Sequence, residues 1–323
     1  MSNTAPPSDE HRDRAYAQVA RDVLALYDRH LFAEGLQAAE AAVEPFPEFS
    51  ARTSWFRACL LCRLERFDEA VEVLRAGVDH GEWWSEEMLR TDGDITLLRW
   101  LDGFEEVVAR SVSLSVAAQE KSAPTLAVLE PEAATGDQPR PVLIALHGSG
   151  GLPGVGECWE LACDEGWLVA LPRSSRLVAA DTPVWDDLHQ ARHELQQHLK
   201  DLKTRYRIDE RRIVLAGFSQ GASVAVELGV EGRLGATGVL AVAPWFDVDR
   251  PMLEDLLDAR PPLYLVMGQD DRGLKTVLRA RAELERAGFV CHLDERPGVG
   301  HEFPPDGKQM LQSALAVVGE PEP

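Results

Sequence analysis

The sequence predicts an α/β fold with a mostly parallel sheet flanked by helices, preceded by an all-α domain of helical hairpins. Three observations carry this. Residues from about 14 to 80 are helix-compatible throughout, dominated by Ala, Leu, Val and Arg. Beyond about residue 140 there are short continuous apolar runs, the pattern of strands buried on both faces of a parallel sheet, separated by helical stretches. One such run breaks into Gly217-Phe218-Ser219-Gln220-Gly221 and resumes with helical spacing. The chain of 323 residues has room for two domains. The expected division is a helical domain over 14–118 and an α/β domain over 119–323. The polar, proline-containing residues 1–13 and the terminal Gly-Glu-Pro-Glu-Pro are expected to be disordered.

In the helical part, Pro45 and Pro47 mark the one firm break. Phe32-Ala33-Glu34-Gly35-Leu36 and Phe67-Asp68-Glu69-Ala70-Val71 stand thirty-five residues apart, and Ala39 corresponds with Leu74 and Val43 with Val78. This part resembles tetratricopeptide repeats, which implies that Ala58, Ala70 and Gly77 sit where two helices approach closely and that Pro47 closes the first repeat. Two repeats are fewer than usually stand alone, so the bundle is expected to lean on the second domain or on another chain. Trp83, Trp84, Trp100 and Phe104 are expected to pack at that junction, with peptide contact or a substrate lid as their alternative role.

In the second part, Pro141 to Leu146 reads as an early strand running into the loop His147-Gly148-Ser149-Gly150-Gly151. That loop has neither the lysine of a phosphate-binding P-loop nor Gly-x-Gly-x-x-Gly spacing. The run from Ile213 to Val226 reads as strand, tight turn and helix. A serine in that turn is held in a strained conformation that flanking glycines permit, with its hydroxyl at the sheet edge and a helix N-terminus beside it. Gly238 to Ala243 is a further strand, followed by Trp245 and Phe246. Residues 262–267 form another, ending in Gly268-Gln269-Asp270-Asp271. A weaker strand over 288–293 precedes Gly298-Val299-Gly300-His301-Glu302. The resulting order of Ser219, Asp271 and His301 is the α/β-hydrolase order of nucleophile, acid and base. The backbone N–H groups of Ser149 and Gln220 are expected to share the oxyanion, a donor being worth about 3 kcal/mol of transition-state stabilisation. Trp245 and Phe246 either wall the substrate or cover the adjacent helix.

Residues from about 120 to 323 resemble the carboxylesterase/phospholipase branch of the α/β-hydrolases, which includes acyl-protein thioesterases and small bacterial esterases. The matches are Leu146-His147-Gly148, Trp185-Asp186-Asp187, Tyr206-Arg207-Ile208-Asp209, Gly217-Phe218-Ser219-Gln220-Gly221, Gly268-Gln269-Asp270-Asp271 and Gly298-Val299-Gly300-His301-Glu302. The resemblance selects Asp271 over Asp270 as the acid. With it His147, Gly148, Trp185, Trp245 and Phe246 form the expected substrate-binding set. The glycine loop from Gly150 to Gly154 and Arg272 after the acid depart from the family's usual pattern, which leaves acyl specificity open. The implied function is a serine carboxylesterase acting on small or acyl esters through an acyl-enzyme, without metal or organic cofactor. Its rate should rise through roughly pH 6 to 8 as the base loses its proton. The alternatives are a serine peptidase or amidase of the same superfamily, and an adaptor whose helical repeats bind a partner.

The formal charge of −21 is spread evenly: residues 1–120 carry 23 acids against 12 Lys and Arg, and the remainder 31 against 21. No basic face is suggested, so nucleic acid and anionic membrane surfaces are poor partner candidates, and neither nucleic-acid binding nor a membrane span is expected. An ester substrate remains, with a protein partner or second copy on the helical domain. Without a signal-like or membrane-spanning segment, the expected location is the cytoplasm. Five cysteines imply no disulfide framework, and Cys59-x-x-Cys62 lies within a helix, where buried small apolar residues are the simpler reading. His193 and His198 are five apart and point about 140° from each other on a helix, so they cannot share an ion. His189 and His193 have suitable spacing but no evident third ligand.

Overall fold

The computed structural model describes residues 9–132, 138–151, 157–246 and 260–319. It divides into two compact units. The helical unit opens with α1 (Asp9–Asp28) and α2 (Phe32–Ala41), then a 3-10 turn at Pro47–Phe49, α3 (Ser50–Arg63) and α4 (Phe67–Asp79). It continues through α5 (Glu86–Thr91), a second 3-10 turn at Thr96–Trp100, and α6 (Phe104–Gln119). Residues 9–13, expected to lie in a disordered tail, are helical, and residues 1–8 and 320–323 fall outside the described residues.

The thirty-five-residue correspondence has a backbone counterpart. α1 and α3 both end on a left-handed residue, His30 at φ 59° and Glu65 at φ 60°. In each case the next N–H reaches back five residues, Leu31 to the Leu26 carbonyl and Arg66 to the Leu61 carbonyl, both at 2.9 Å. This closes the open helix end and turns the chain into the next helix, which begins at Phe32 or Phe67. The core they enclose includes Leu36, Ala58, Leu60, Ala70, Leu74, Trp84, Leu89 and Phe104. Trp84 is fully buried, so its indole N–H needs a partner, and it donates to the Ala51 carbonyl at 3.0 Å. Trp83 and Phe104 are buried as well, whereas Trp100, expected to pack, is 78% exposed at the end of its 3-10 turn.

The second unit is built on a seven-stranded sheet. In chain order it contains β1 (Thr125–Leu129), β2 (Arg140–Leu146), the short helix α7 (Glu157–Glu160) and β3 (Leu168–Arg173). The chain then departs through a two-stranded excursion, β4 (Leu177–Ala179) and β5 (Thr182–Pro183), before α8 (Leu188–Arg205), β6 (Ile208–Phe218), α9 (Gln220–Glu231) and β7 (Gly238–Val242). It ends with β8 (Leu263–Gly268), α10 (Leu274–Arg286), β9 (Cys291–Arg296) and α11 (Gly307–Val318). The order across the sheet is β1-β3-β2-β6-β7-β8-β9, with only the β1–β3 pair antiparallel. Successive side chains enter opposite layers: Val142, Ile144, Ile213 and Leu215 face one core, and Leu143, Ala145, Val214 and Ala216 the other. This is the α/β-hydrolase arrangement. The last strand starts three residues later than the apolar run at 288 implies, because Gly288 at φ 92° completes the end of α10 and Phe289 N–H bonds back to the Leu284 carbonyl.

The excursion Ser175–Pro183 belongs to the helical unit, although its sequence lies between β3 and α8. Ser85 N–H donates to the Val178 carbonyl at 2.7 Å and Ala180 N–H to the Trp83 carbonyl at 3.0 Å, adding a third extended segment to the hairpin. The Gln119 carboxamide, at the end of α6, donates to the Ser175 carbonyl at 2.8 Å and accepts from Leu177 N–H at 3.1 Å. Ala179 is buried in the helical core.

Candidate functional site

Strand β6 is central in the sheet, and Ser219 follows it directly. The Ser219 backbone adopts φ 52° and ψ −118°, a conformation costly for any residue with a Cβ. The turn is tight enough to require both flanking glycines. A Cβ on Gly217 would lie 2.4 Å from the Gly221 carbonyl carbon, and one on Gly221 would lie 2.4 Å from the carbonyl oxygens of Leu146 and His147. Ser219 N–H is fixed by the Val242 carbonyl at 2.9 Å. The first turn of α9 begins at Gln220, directly after Ser219, so its leading N–H groups lack intrahelical acceptors.

Two loops from the same sheet edge complete a chain of hydrogen bonds. Ser219 Oγ lies 2.8 Å from His301 Nε2, and His301 Nδ1 lies 2.7 Å from Asp271 Oδ2. A proton on Nδ1 donated to the carboxylate leaves Nε2 to accept from the serine hydroxyl. The other carboxylate oxygen of Asp271 accepts Gly273 N–H at 2.7 Å, and the Asp271 side chain is only 5% exposed. Asp270 is exposed; its backbone N–H ties the two loops together by donating to the Val299 carbonyl at 3.0 Å. Phe218 packs beside the His301 ring, with centroids 5.4 Å apart, and stacks on Phe303 at 4.9 Å.

The loop after β2 comes up beside this chain. His147 Nδ1 donates to the Gly148 carbonyl at 2.7 Å, and Nε2 accepts the Ser174 N–H at 3.2 Å, which fixes a neutral tautomer. Burial pushes the His147 pKa down to about 4, consistent with that role. Trp185 holds the same residue from the other side. Its indole N–H donates to the His147 carbonyl at 3.1 Å and its ring packs on the imidazole, centroids 4.9 Å apart. The backbone N–H of Trp185 donates to Gln220 Oε1 at 3.0 Å. Ser149 is exposed at the tip of this loop; Leu152, Pro153 and Gly154 fall outside the described residues.

A pocket of about 440 Å³ opens beside Ser219, lined by Trp185, Asp186, Leu188, Gln220, Ser223, Val224, Glu227 and Trp245. Trp245 is 67% exposed and forms a wall; Ser223 holds it, its Oγ accepting the Trp245 N–H at 2.9 Å and lying 3.1 Å from the Ser219 carbonyl. Two expectations require correction. Phe246 is buried in the core beneath the sheet edge, because the chain turns inward immediately after Trp245. The His147 imidazole does not line the pocket, because it is consumed in shaping the loop, whereas Gly148 stands beside Ser219, where a Cβ on it would lie 3.6 Å from the serine Cβ. Ser223, Val224 and Glu227 were absent from the expected set, yet with Gln220 they recur at three, four and seven residues, one face of the helix that follows Ser219.

Among the described residues, Cys59, Asp92 and Asp94 are the group whose donor atoms could converge on a metal ion. Those groups already have partners: Asp94 accepts the Tyr27 hydroxyl and pairs with Arg63, Asp92 accepts Asp94 N–H, and burial holds the Cys59 thiol far above its ordinary pKa. Cys62 is buried beside it. No described helix is long and apolar enough to cross a membrane.

Residues 184–318 match the phospholipase/carboxylesterase family model. No curated protein matches the chain. Among solved structures, an uncharacterized protein from Bacillus cereus ATCC 10987 is similar at 22% identity with a TM-score of 0.51, over 94% of this chain and 99% of its own. Esterase PE8 is similar at 19% identity with a TM-score of 0.50, over 60% of this chain and 99% of its own. At these identities the structural likeness is one of fold.

Proposed function

We propose, from the match of residues 184–318 to phospholipases and carboxylesterases, that the chain is a serine carboxylesterase acting on small-molecule or acyl esters. The observation that carries the reading is the hydrogen-bonded line from Ser219 through His301 to Asp271 at the C-terminal edge of the parallel strands. In this reading Ser219 Oγ attacks the ester carbonyl while His301 Nε2 takes its proton. Asp271 keeps the imidazole in the correct tautomer and stabilises the imidazolium. The carbonyl oxygen becomes an oxyanion, held by the Gln220 N–H at the start of α9 and by the Ser149 N–H from the β2 loop. His301 returns the proton to the leaving alkoxide, and the acyl-enzyme is hydrolysed by a water that the same histidine activates. The pocket walled by Trp185, Leu188, Val224 and Trp245 receives one apolar arm of the ester. The helical unit reads as a tetratricopeptide-like bundle, a surface for a protein partner or a second copy.

The test is hydrolysis of p-nitrophenyl esters from acetate to decanoate by the full chain and its Ser219→Ala variant, together with labelling by a fluorophosphonate. The expected result is turnover and an adduct on the Ser219 peptide in the wild type, and neither in the variant. Equal turnover in both would remove Ser219 from the mechanism. Absence of both turnover and labelling in the wild type would overturn the esterase reading.

A further inference from the structure

Trp245 is a pocket wall that is 67% exposed, so few neighbouring atoms fix its indole and its place is set by its main chain. The chain reaches it through Ala243, whose φ of 48° is a left-handed conformation costly for a residue with a Cβ. Such a turn persists where its surroundings hold it on both sides. On one side Ala243 N–H donates to the Val266 carbonyl at 2.8 Å. On the other, buried Ser223 meets both main-chain polar groups of Trp245. Its Oγ accepts the Trp245 N–H at 2.9 Å, and its hydroxyl proton has the Trp245 and Ser219 carbonyls as acceptors, at 3.0 and 3.1 Å. We propose that Ser223 is a positioning residue that hangs the Trp245 wall from α9, and that the groove so formed selects acyl chains of about eight carbons. This rests on the serine esterase reading.

The length follows from the helix. Gln220, Ser223, Val224 and Glu227 line the pocket from one face of α9, so the groove runs along the helix from Ser219 to a carboxylate. Seven residues at 1.5 Å each make that run about 10 Å. An extended chain advances about 1.2 Å per bond, so about eight bonds span it. Between the ends the groove offers Leu188, Val224 and the two indoles. At the far end stands Glu227, partly buried. A methylene laid over that carboxylate would displace its polar neighbours and supply none, so a longer chain gains nothing by continuing inward. A shorter chain leaves wall uncovered, and each methylene withdrawn from water is worth about fourfold in affinity. An exposed indole on a loose segment would have to be ordered at every binding event, which reduces that gain. With its main chain held by Ser223, Trp245 is in place beforehand. Releasing it weakens the hold on the chain without touching the Ser219 hydroxyl, so the loss appears in KM rather than in kcat.

The experiment measures kcat and KM for p-nitrophenyl acetate, butyrate, octanoate and laurate. It uses full-length wild type, Ser219→Ala, Ser223→Ala, Trp245→Ala and the Ser223→Ala/Trp245→Ala double variant, each confirmed folded at the assay temperature by circular dichroism. In the wild type kcat/KM should rise to octanoate and be no higher for laurate. Ser223→Ala should lower the octanoate-to-acetate ratio of kcat/KM about fourfold, the effect of one methylene left uncovered, with the change in KM. Because Ser223 acts through the wall, adding Ser223→Ala to Trp245→Ala should lower the ratio no further. If Ser223→Ala does not fold, Ser223→Cys, of similar shape with weaker hydrogen bonds, takes its place. A wild-type series that is flat or still climbing at laurate overturns the proposal. So does a ratio unchanged in the Ser223 variant, or losses that multiply in the double variant. In each of these cases an active wild type beside an inactive Ser219→Ala leaves the esterase reading standing. Undiminished hydrolysis by Ser219→Ala, or none by the wild type, overturns the reading and the groove with it.

Discussion

Acidification should weaken the sheet unit through His147, and the size of the effect follows from its surroundings. In the folded protein the imidazole is neutral because burial pushes its pKa from 6.5 down to about 4, and its Nε2 lone pair accepts the Ser174 N–H. A protonated ring has no lone pair to offer, so uptake of a proton would break that bond and charge a desolvated group. An unfolded chain takes the proton near pH 6.5 while the folded one does not. A depressed folded pKa contributes stability above the unfolded value, and that stability is lost as the pH falls toward the folded value. At about pH 5 the difference spans roughly 1.5 pH units at about 1.4 kcal/mol each, or about 2 kcal/mol. Urea unfolding at about pH 7.5 and about pH 5, followed by tryptophan fluorescence, compares the wild type with His147→Asn, whose carboxamide can accept from Ser174 without titrating. Carboxylates and the remaining histidines, including His198 with its pKa also lowered by burial, contribute to both proteins and cancel in the comparison. The wild type should lose about 2 kcal/mol more than the variant; parallel losses would refute the assignment of His147 as a neutral acceptor.

Ser219→Ala should abolish ester hydrolysis while leaving the unfolding free energy within about 0.5 kcal/mol, as urea titration would show. Asp271→Asn should lower kcat by less than Ser219→Ala does, and Asp270→Asn by less than twofold; a larger loss from Asp270→Asn would reassign the acid. Gly221→Ala places a methyl 2.4 Å from two carbonyl oxygens and should cost about 3 kcal/mol or more, read as a fall in thermal midpoint, with an unchanged midpoint contradicting the close approach. Trp245→Ala removes an exposed wall, so stability should move by no more than about 0.5 kcal/mol while KM for the longer p-nitrophenyl esters rises relative to acetate; equal changes for all chain lengths would place the acyl group elsewhere.

The part of the site written in contiguous residues was legible in the sequence. Gly217 and Gly221 announce a backbone that admits no Cβ, and the apolar runs through Phe218, over 262–267 and, more weakly, over 288–293 place three loops on one sheet edge. Adjacent Asp270 and Asp271 could not be separated by pattern, because the same loop of backbone carries both; the difference lies in which carboxylate receives Gly273 N–H and His301. Phe246 and Trp245 are likewise neighbours of similar chemistry, and only the direction of the chain after β7 sends one into the core and the other into the pocket wall. His147 was misread for a different reason: a histidine beside glycines suggests contact with substrate, while the bonds that occupy its ring come from Ser174 and Gly148, a long-range and a local partner with no shared sequence signal. The excursion was invisible for the same cause, since nothing in Ser175–Pro183 records that its hydrogen-bonding partners are Trp83, Ser85 and Gln119.

That excursion bears on how the protein can have descended. Two modules joined end to end can be exchanged by recombination at their single seam, each retaining its own complement of backbone partners. Here a crossover after Gln119 would strip the extended edge at Trp83–Ser85 of its neighbour and leave Leu177–Pro183 as an orphan ribbon. The helices and this short piece between β3 and α8 are thus a single heritable character, and lineages that have shed the former should be recognisable by a shortened connection between β3 and α8.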